Sequence, residues 1–247
     1  YVDSDNNLQR NLMVYAIIDM VVALTSWVII GVFRVPPVPR FYKDIAIDYS
    51  RYGFPLVAKM MGVWIISISD RFLLTFWETS ENVASYILSY QLAGSSITIP
   101  MSFLIAVIIP KILLIEKEEN QHEALLYTYK ILRIYLRLML PIFIIFSVIV
   151  LLFQYYVYSN YEFNPLIIVL LVFAHLISEL AHFYNKEFEL NGRTFTITKA
   201  VVVGATVNIV ANLLFIPYFG GTGAAIATLI AYMVSVYYIY SMREYRP

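Results

Sequence analysis

The chain has 247 residues, 60% of them hydrophobic and 14% charged, with no net charge and a mean hydropathy of +0.72. Soluble domains average about 45–50% apolar and roughly 25% charged residues, so this composition points to a multi-pass membrane protein. Balanced charge gives no basic field for nucleic acid, and a sequence without cysteine has no disulfide framework, thiolate nucleophile or cysteine metal site.

About 20 apolar residues cross the ~30 Å hydrocarbon core as a helix. Seven stretches qualify: Leu12–Phe33, Phe54–Trp77, Ala84–Ile115, Leu132–Tyr155, Pro165–Tyr184, Phe195–Tyr218 and Thr222–Tyr240. Pro55 and Pro165 sit where helix starts tolerate proline. The third stretch is too long for one straight crossing, and Pro100 and Pro110 are expected to kink it or end it early. Between the first two spans, the proline-rich "RVPPVPR" breaks the helix, and Phe41, Ile45, Tyr49 and Tyr52 then recur at helical spacing. That pattern suits a short amphipathic helix on the inner membrane surface, in a linker between two bundles. The expected organisation is an outer segment and last helix of a first bundle (1–33), the linker (34–52) and a six-helix bundle (53–247). A start at Tyr1, with neither initiator Met nor signal-like segment, reads as a piece of something longer.

The connections alternate in charge. Arg34, Arg40, Lys43 and Arg51 follow the first span. Lys111, Lys117, Lys130 and Arg133 flank the "EKEENQHEA" connection, Lys186 and Arg193 follow the fifth span, and Arg243 and Arg246 follow the last. The intervening "ETSEN", "YVYSNYEF" and "YFGG" carry no Lys or Arg, and only Arg10 falls on that side. The positive-inside rule then puts the C-terminus in the cytoplasm.

Several spans carry ionisable residues, each costing a few kcal/mol at bilayer depth even on the lenient insertion scale. Asp70 and Arg71 lie late in the second span. Either Arg71 snorkels to the interface with Asp70 capping its charge, or the two face a wet cavity. Adjacent helical residues point about 100° apart, so they need not pair with each other. Lys59 lies three turns earlier on nearly the same face as Asp70, and with Ser67 it makes a polar stripe. The fifth span has a second stripe, His175, Glu179, His182 and Lys186. His175 and Glu179 are the deeper pair and are candidates for a pathway or relay, although Glu179 could equally sit neutral in a packed site. The His-x3-Glu-x2-His spacing could bind a divalent metal but lacks further ligands. Asp19 in the first span reads as half-buried, facing a first bundle. Asn208 and Asn212 read as helix-joining hydrogen-bond residues, Gln91 is ambiguous, and Lys199 and Arg137 read as snorkellers. No phosphate loop, Gly-x-Ser-x-Gly or acid cluster in a long loop occurs. A non-enzymatic protein without a cofactor is expected.

Two stretches carry a resemblance. "YGFPLVAKMMGVWIISISDRFLLTFWETSENVASYILSYQLAG" resembles the seventh-to-eighth helix region of polysaccharide-biosynthesis flippases, with a Gly-x-Pro opening, a Ser-rich helix ending Asp-Arg-Phe and a Tyr-x-x-x-Tyr-x-x-Ala/Gly start. "NGRTFTITKAVVVGATVNIVANLLFIPYFGGTGAAIATLIAYMV" resembles their last two helices. The resemblance implies an all-α, MATE-like bundle, here the second of two plus one helix of the first. It also implies transport of a polyisoprenyl-diphosphate-linked oligosaccharide across the cytoplasmic membrane. Arg71 and Lys59 would then contact the phosphates, Asp70, Glu179, His175 and Asp19 would serve ion coupling or the cavity, and the partners would be the lipid bilayer and the first bundle. The runner-up on the same scaffold is a cation-coupled multidrug exporter, whose cavity should be dominated by acids and aromatic rings.

Overall fold

A computed structural model describes residues 14, 17–26, 28, 43–157 and 164–244. Much of the expected first span, the start of the linker and Arg10, Arg34, Arg40 and Arg246 lie outside them. The described elements are all helical: α1 (Ile17–Ser26), α2 (Lys43–Leu74), α3 (Ser80–Glu118), α4 (Gln121–Val157), α5 (Pro165–Leu190) and α6 (Thr194–Ser241). The chain divides into two compact units at Asp48 and Tyr49, a few residues before the boundary expected at 53. In the first unit, the described part of α1 covers Ile17–Ser26, and Asp19 is exposed on it.

Five helices, Tyr49–Leu74 of α2 and the whole of α3 to α6, are long and apolar enough to cross a bilayer. The outward faces carry Phe103, Val107, Leu140, Ile145, Ile149 and Tyr156, each at least half exposed. Water would not tolerate apolar surface of that extent on a monomer, whereas lipid does. The chain is a multi-pass membrane protein.

Pro55 does not start a helix, and Pro100 and Pro110 do not end one. α2 runs through Pro55 without a break, so the expected linker helix and span are one helix, and α3 continues past both Pro100 and Pro110. In hydrocarbon a broken helix would strand backbone groups without water. Thr198 Oγ1 donates to the Pro55 carbonyl at 2.5 Å. Thr79 caps α3 by accepting from the Asn82 N–H at 3.3 Å, and Asn164 caps α5 by accepting from the Leu166 N–H at 2.9 Å.

α6 resolves into two antiparallel arms. A straight helix of 48 residues would reach about 72 Å. Instead, Gly220 takes φ 52° and ψ −133°, a conformation open mainly to glycine. Residues 221–241 then run back along 194–219. A β-carbon at Gly204 would come within 2.9 Å of Ser235 Cβ and 3.1 Å of the Ala231 carbonyl oxygen. The sixth and seventh expected spans are these arms.

α5 is the central helix, packed against α3, α4 and α6 and buried along most of its length. Ile168, Leu171, Leu176 and Phe188 from α5 meet Ile66, Tyr86, Ile197, Ile216 and Ile239 in one core. The connections gather at two ends. At one, Asn164 Nδ2 donates to Thr222 Oγ1 at 3.2 Å, and Glu78 lies against Gly220. At the other, Gln121 Nε2 donates to Asn191 Oδ1 at 2.7 Å and Arg193 pairs with Glu244. Among the described residues, Glu78, Asn164 and Gly220 mark the first end, and the basic residues Lys117, Arg193 and Arg243 lie toward the second.

Candidate functional site

A cavity of about 390 Å³ opens among α2, α3, α5 and both arms of α6, in the half of the bundle toward the basic end. α2 contributes Lys59, Val63, Ile66 and Ser67, and α3 contributes Tyr90, Gln91, Gly94, Ser95 and Thr98. α5 presents His175, Ser178, Glu179, His182 and Asn185, while α6 adds Val201, Tyr232 and Ser235. The two polar stripes of the sequence thus face one space.

Each stripe reaches it by helical spacing. Lys59 and Ser67 lie on one side of α2, while Val57 and Met60 are exposed on its surface. On α5, Glu179 is 5% exposed and its Oε2 lies 3.5 Å from His182 Nε2. Lys186, the stripe's last member, turns away to pair with Glu189. His175 is buried, its ring edge-on to Tyr90 at 5.1 Å and tilted to Tyr232 at 6.0 Å. It has no hydrogen-bond partner at Nε2 and packs against Gly94, where a β-carbon would come within 3.0 Å of that nitrogen. A side chain there would force the imidazole to give by a few tenths of an ångström. Among the described residues, no group of three or more His, Cys, Asp or Glu could hold a metal ion.

Asp70 and Arg71 sit beside this cavity rather than in its lining. Asp70 is fully buried. Its Oδ2 accepts from the Tyr86 hydroxyl at 2.5 Å, and its Oδ1 accepts from the Arg71 backbone N–H at 2.7 Å. The Arg71 guanidinium stacks 4.7 Å above Tyr90, a cavity residue, with a buried Nε that has no hydrogen-bond partner. The adjacent acid and base therefore have separate side-chain partners, one turn apart on α3. Behind them, Ser69 Oγ donates to Asn208 Oδ1 at 2.7 Å, as does Asn212 Nδ2 at 3.1 Å. Asn208 joins α6 to α2, while Asn212 bonds Asn208 within its own helix. Asn212 Oδ1 and Thr228 Oγ1 remain buried without a partner.

Of the residues singled out in the sequence, Lys59, His175 and Glu179 converge on the cavity. Arg71 reaches it through Tyr90, Asp70 is sealed under Tyr86, and Asp19 belongs to the first unit. Tyr86, Tyr90 and Tyr232 were not identified as site residues. The first two stood in the Tyr-x-x-x-Tyr pattern, whose spacing places them one turn apart beside Asp70 and Arg71; nothing in the sequence marks Tyr232. Gln154 was also missed: fully buried on α4, it donates to Ser89 Oγ at 3.2 Å. Comparison with known proteins yields no match to a family model, a curated protein or a solved structure.

Proposed function

We propose that this chain belongs to a flippase that moves a polyisoprenyl-diphosphate-linked oligosaccharide across the cytoplasmic membrane for surface polysaccharide assembly. The observation that carries the reading is the polar cavity itself, with Lys59, Gln91, His175 and Glu179 facing one space inside an otherwise apolar bundle. Buried ionisable groups inside membrane proteins generally line substrate or ion pathways. A diphosphate needs cations and a hydrated glycan needs hydrogen-bonding groups, and this wall offers both. Lys59 contacts phosphate directly, while Arg71, held flat on Tyr90, supplies a second positive charge with unused donors. Asp70 and Glu179 serve the ion step. The two motifs that resemble polysaccharide flippases add to this reading, as does the segregation of basic connections to one end, which sets that end and the C-terminus in the cytoplasm. Two antiparallel arms in α6 give the second unit six crossings, in keeping with one bundle of a MATE-like protein whose first bundle supplies the facing wall. The role is transport, not catalysis.

The cavity argues against the multidrug exporter. It holds one carboxylate against a lysine and two histidines, not the acid-dominated wall that an amphipathic cation requires. The test is complementation in cells lacking the full-length protein. Lys59→Ala and Arg71→Ala, expressed normally, should leave lipid-linked glycan accumulated on the inner leaflet, and Arg71→Lys should restore part of the export because it keeps the charge but not the planar fork. Wild-type export by both alanine variants would remove the phosphate-binding roles.

A further inference from the structure

A second cavity, of about 490 Å³, lies at the basic end between α4 and the end of α6. Its wall holds two guanidinium groups, Arg133 from α4 and Arg243 just beyond α6, with Tyr129, Tyr240 and Ser241. Leu132 and Leu136 complete it on the α4 side. Among the described residues neither arginine has a carboxylate within ion-pairing distance. The nearby acids have partners of their own. Glu187 accepts from the Tyr129 hydroxyl at 3.2 Å and from the Glu244 N–H at 2.8 Å, and it lines a neighbouring cavity instead. Glu244 pairs with Arg193.

Arg243 is fixed in place. Its guanidinium lies 4.0 Å from the Tyr240 ring, 4.8 Å from Tyr184 and 5.4 Å from Tyr129, and its Nε donates to the Tyr240 carbonyl at 3.1 Å. Stacking on aromatic faces, one backbone hydrogen bond and the Tyr129 hydroxyl hold the group without neutralising its charge. A guanidinium pair fits phosphate oxygens by charge-assisted, bidentate hydrogen bonds. Leu136 is 45% exposed and shares a face of α4 with the exposed Leu140, one turn on. A ligand here therefore meets charge at one edge and hydrocarbon at the other.

We propose that this cleft binds the phosphate headgroup of an anionic phospholipid, with Arg133 and Arg243 on the phosphate and an acyl chain along Leu132 and Leu136. Free phosphate shares the headgroup chemistry but leaves the leucine wall unused. Assignment to the inner leaflet rests on the orientation proposed above; the ligand chemistry does not. Bound lipid would bridge α4 to the end of α6, two elements whose contact at this end is otherwise made by side chains.

The test is binding by the purified full-length protein in neutral detergent, read by thermal stabilisation and by native mass spectrometry, so it stands apart from any transport assay. Probes are dioctanoyl phosphatidylglycerol, dioctanoyl phosphatidylcholine and inorganic phosphate. The phosphatidylglycerol should bind saturably and more weakly as salt rises. Arg133→Gln, a change at an exposed side chain that leaves the fold intact, should weaken it about tenfold, the loss expected for one charge-assisted contact. Arg133→Glu should abolish it. Equal binding of the phosphatidylcholine, or of the phosphatidylglycerol to Arg133→Glu, would overturn the site. Inorganic phosphate stabilising as strongly as the lipid would overturn the lipid assignment.

Discussion

Removing the Tyr86 hydroxyl probes the contact that keeps an acid inside this bundle. Tyr86 is 2% exposed and Asp70 is fully buried, so in Tyr86→Phe no water is at hand to replace the lost donor. Hydrogen bonds to charged groups contribute about 1.5–3 kcal/mol in soluble proteins. Interhelical bonds in membrane proteins average about 0.6 and reach about 1.7 kcal/mol, because the unfolded reference also finds partners. A 2.5 Å contact between fully buried groups belongs at the top of the membrane range. The expected cost of Tyr86→Phe is therefore about 1.5 kcal/mol, roughly a tenfold shift in the unfolding constant. Asp70→Ala should cost as much or more, and the double variant should fall short of the sum by about 1.5 kcal/mol. Unfolding by sodium dodecyl sulfate in mixed micelles gives all four corners of the cycle. Additivity within about 0.3 kcal/mol, the behaviour of independent sites, would refute the reasoning.

Gly220→Ala should destabilise by about 1–3 kcal/mol through backbone strain, and by more once the β-carbon meets the Glu78 carboxylate. Gly192→Ala, at φ +67° with open space around it, should show only the strain, about 1–2 kcal/mol; thermal melts of the two side by side test the ordering. Gly94→Val should push His175 out of place and shrink the cavity, lowering transport while expression stays normal; equal transport would detach His175 from the pathway. Cysteine at Ser80 should label from outside intact cells and cysteine at Asn120 only after permeabilisation. Outside labelling at Asn120 would reverse the proposed orientation. Glu179→Gln should lose gradient dependence while still binding substrate, and unchanged dependence in vesicles would remove Glu179 from the ion step.

Much of the bundle was legible because its signals are local. The Phe-Gly-Gly break after Tyr218 marks the fold-back at Gly220, and the alternating charge of the connections maps onto the two ends. Lys59 with Ser67, and His175 with Glu179 and His182, announce their faces by spacing alone. What the spacing could not tell was which partner each face meets. Asp70 shares a face with Lys59 yet is closed off by Tyr86, a contact set by how α2 and α3 pack. Asn208 bonds across helices as expected of a polar amide in hydrocarbon, whereas Asn212 finds its partner one turn away on the same helix. Pro55 misled: proline suits a helix start, but here it lies inside α2, and Pro100 and Pro110 do not end α3.

The central claim is that an anionic lipid-linked glycan passes this cavity, and reconstituted translocation tests it most directly. Full-length protein in proteoliposomes would be loaded with a fluorescent polyisoprenyl-diphosphate oligosaccharide, and its arrival at the opposite leaflet read by quenching of the exposed label. The parent protein should move the substrate, and Lys59→Ala with Arg71→Ala should slow it at least about tenfold, the loss of two phosphate contacts. Equal rates in parent and double variant, or movement of a cationic amphiphile in place of the glycan lipid, would contradict the account.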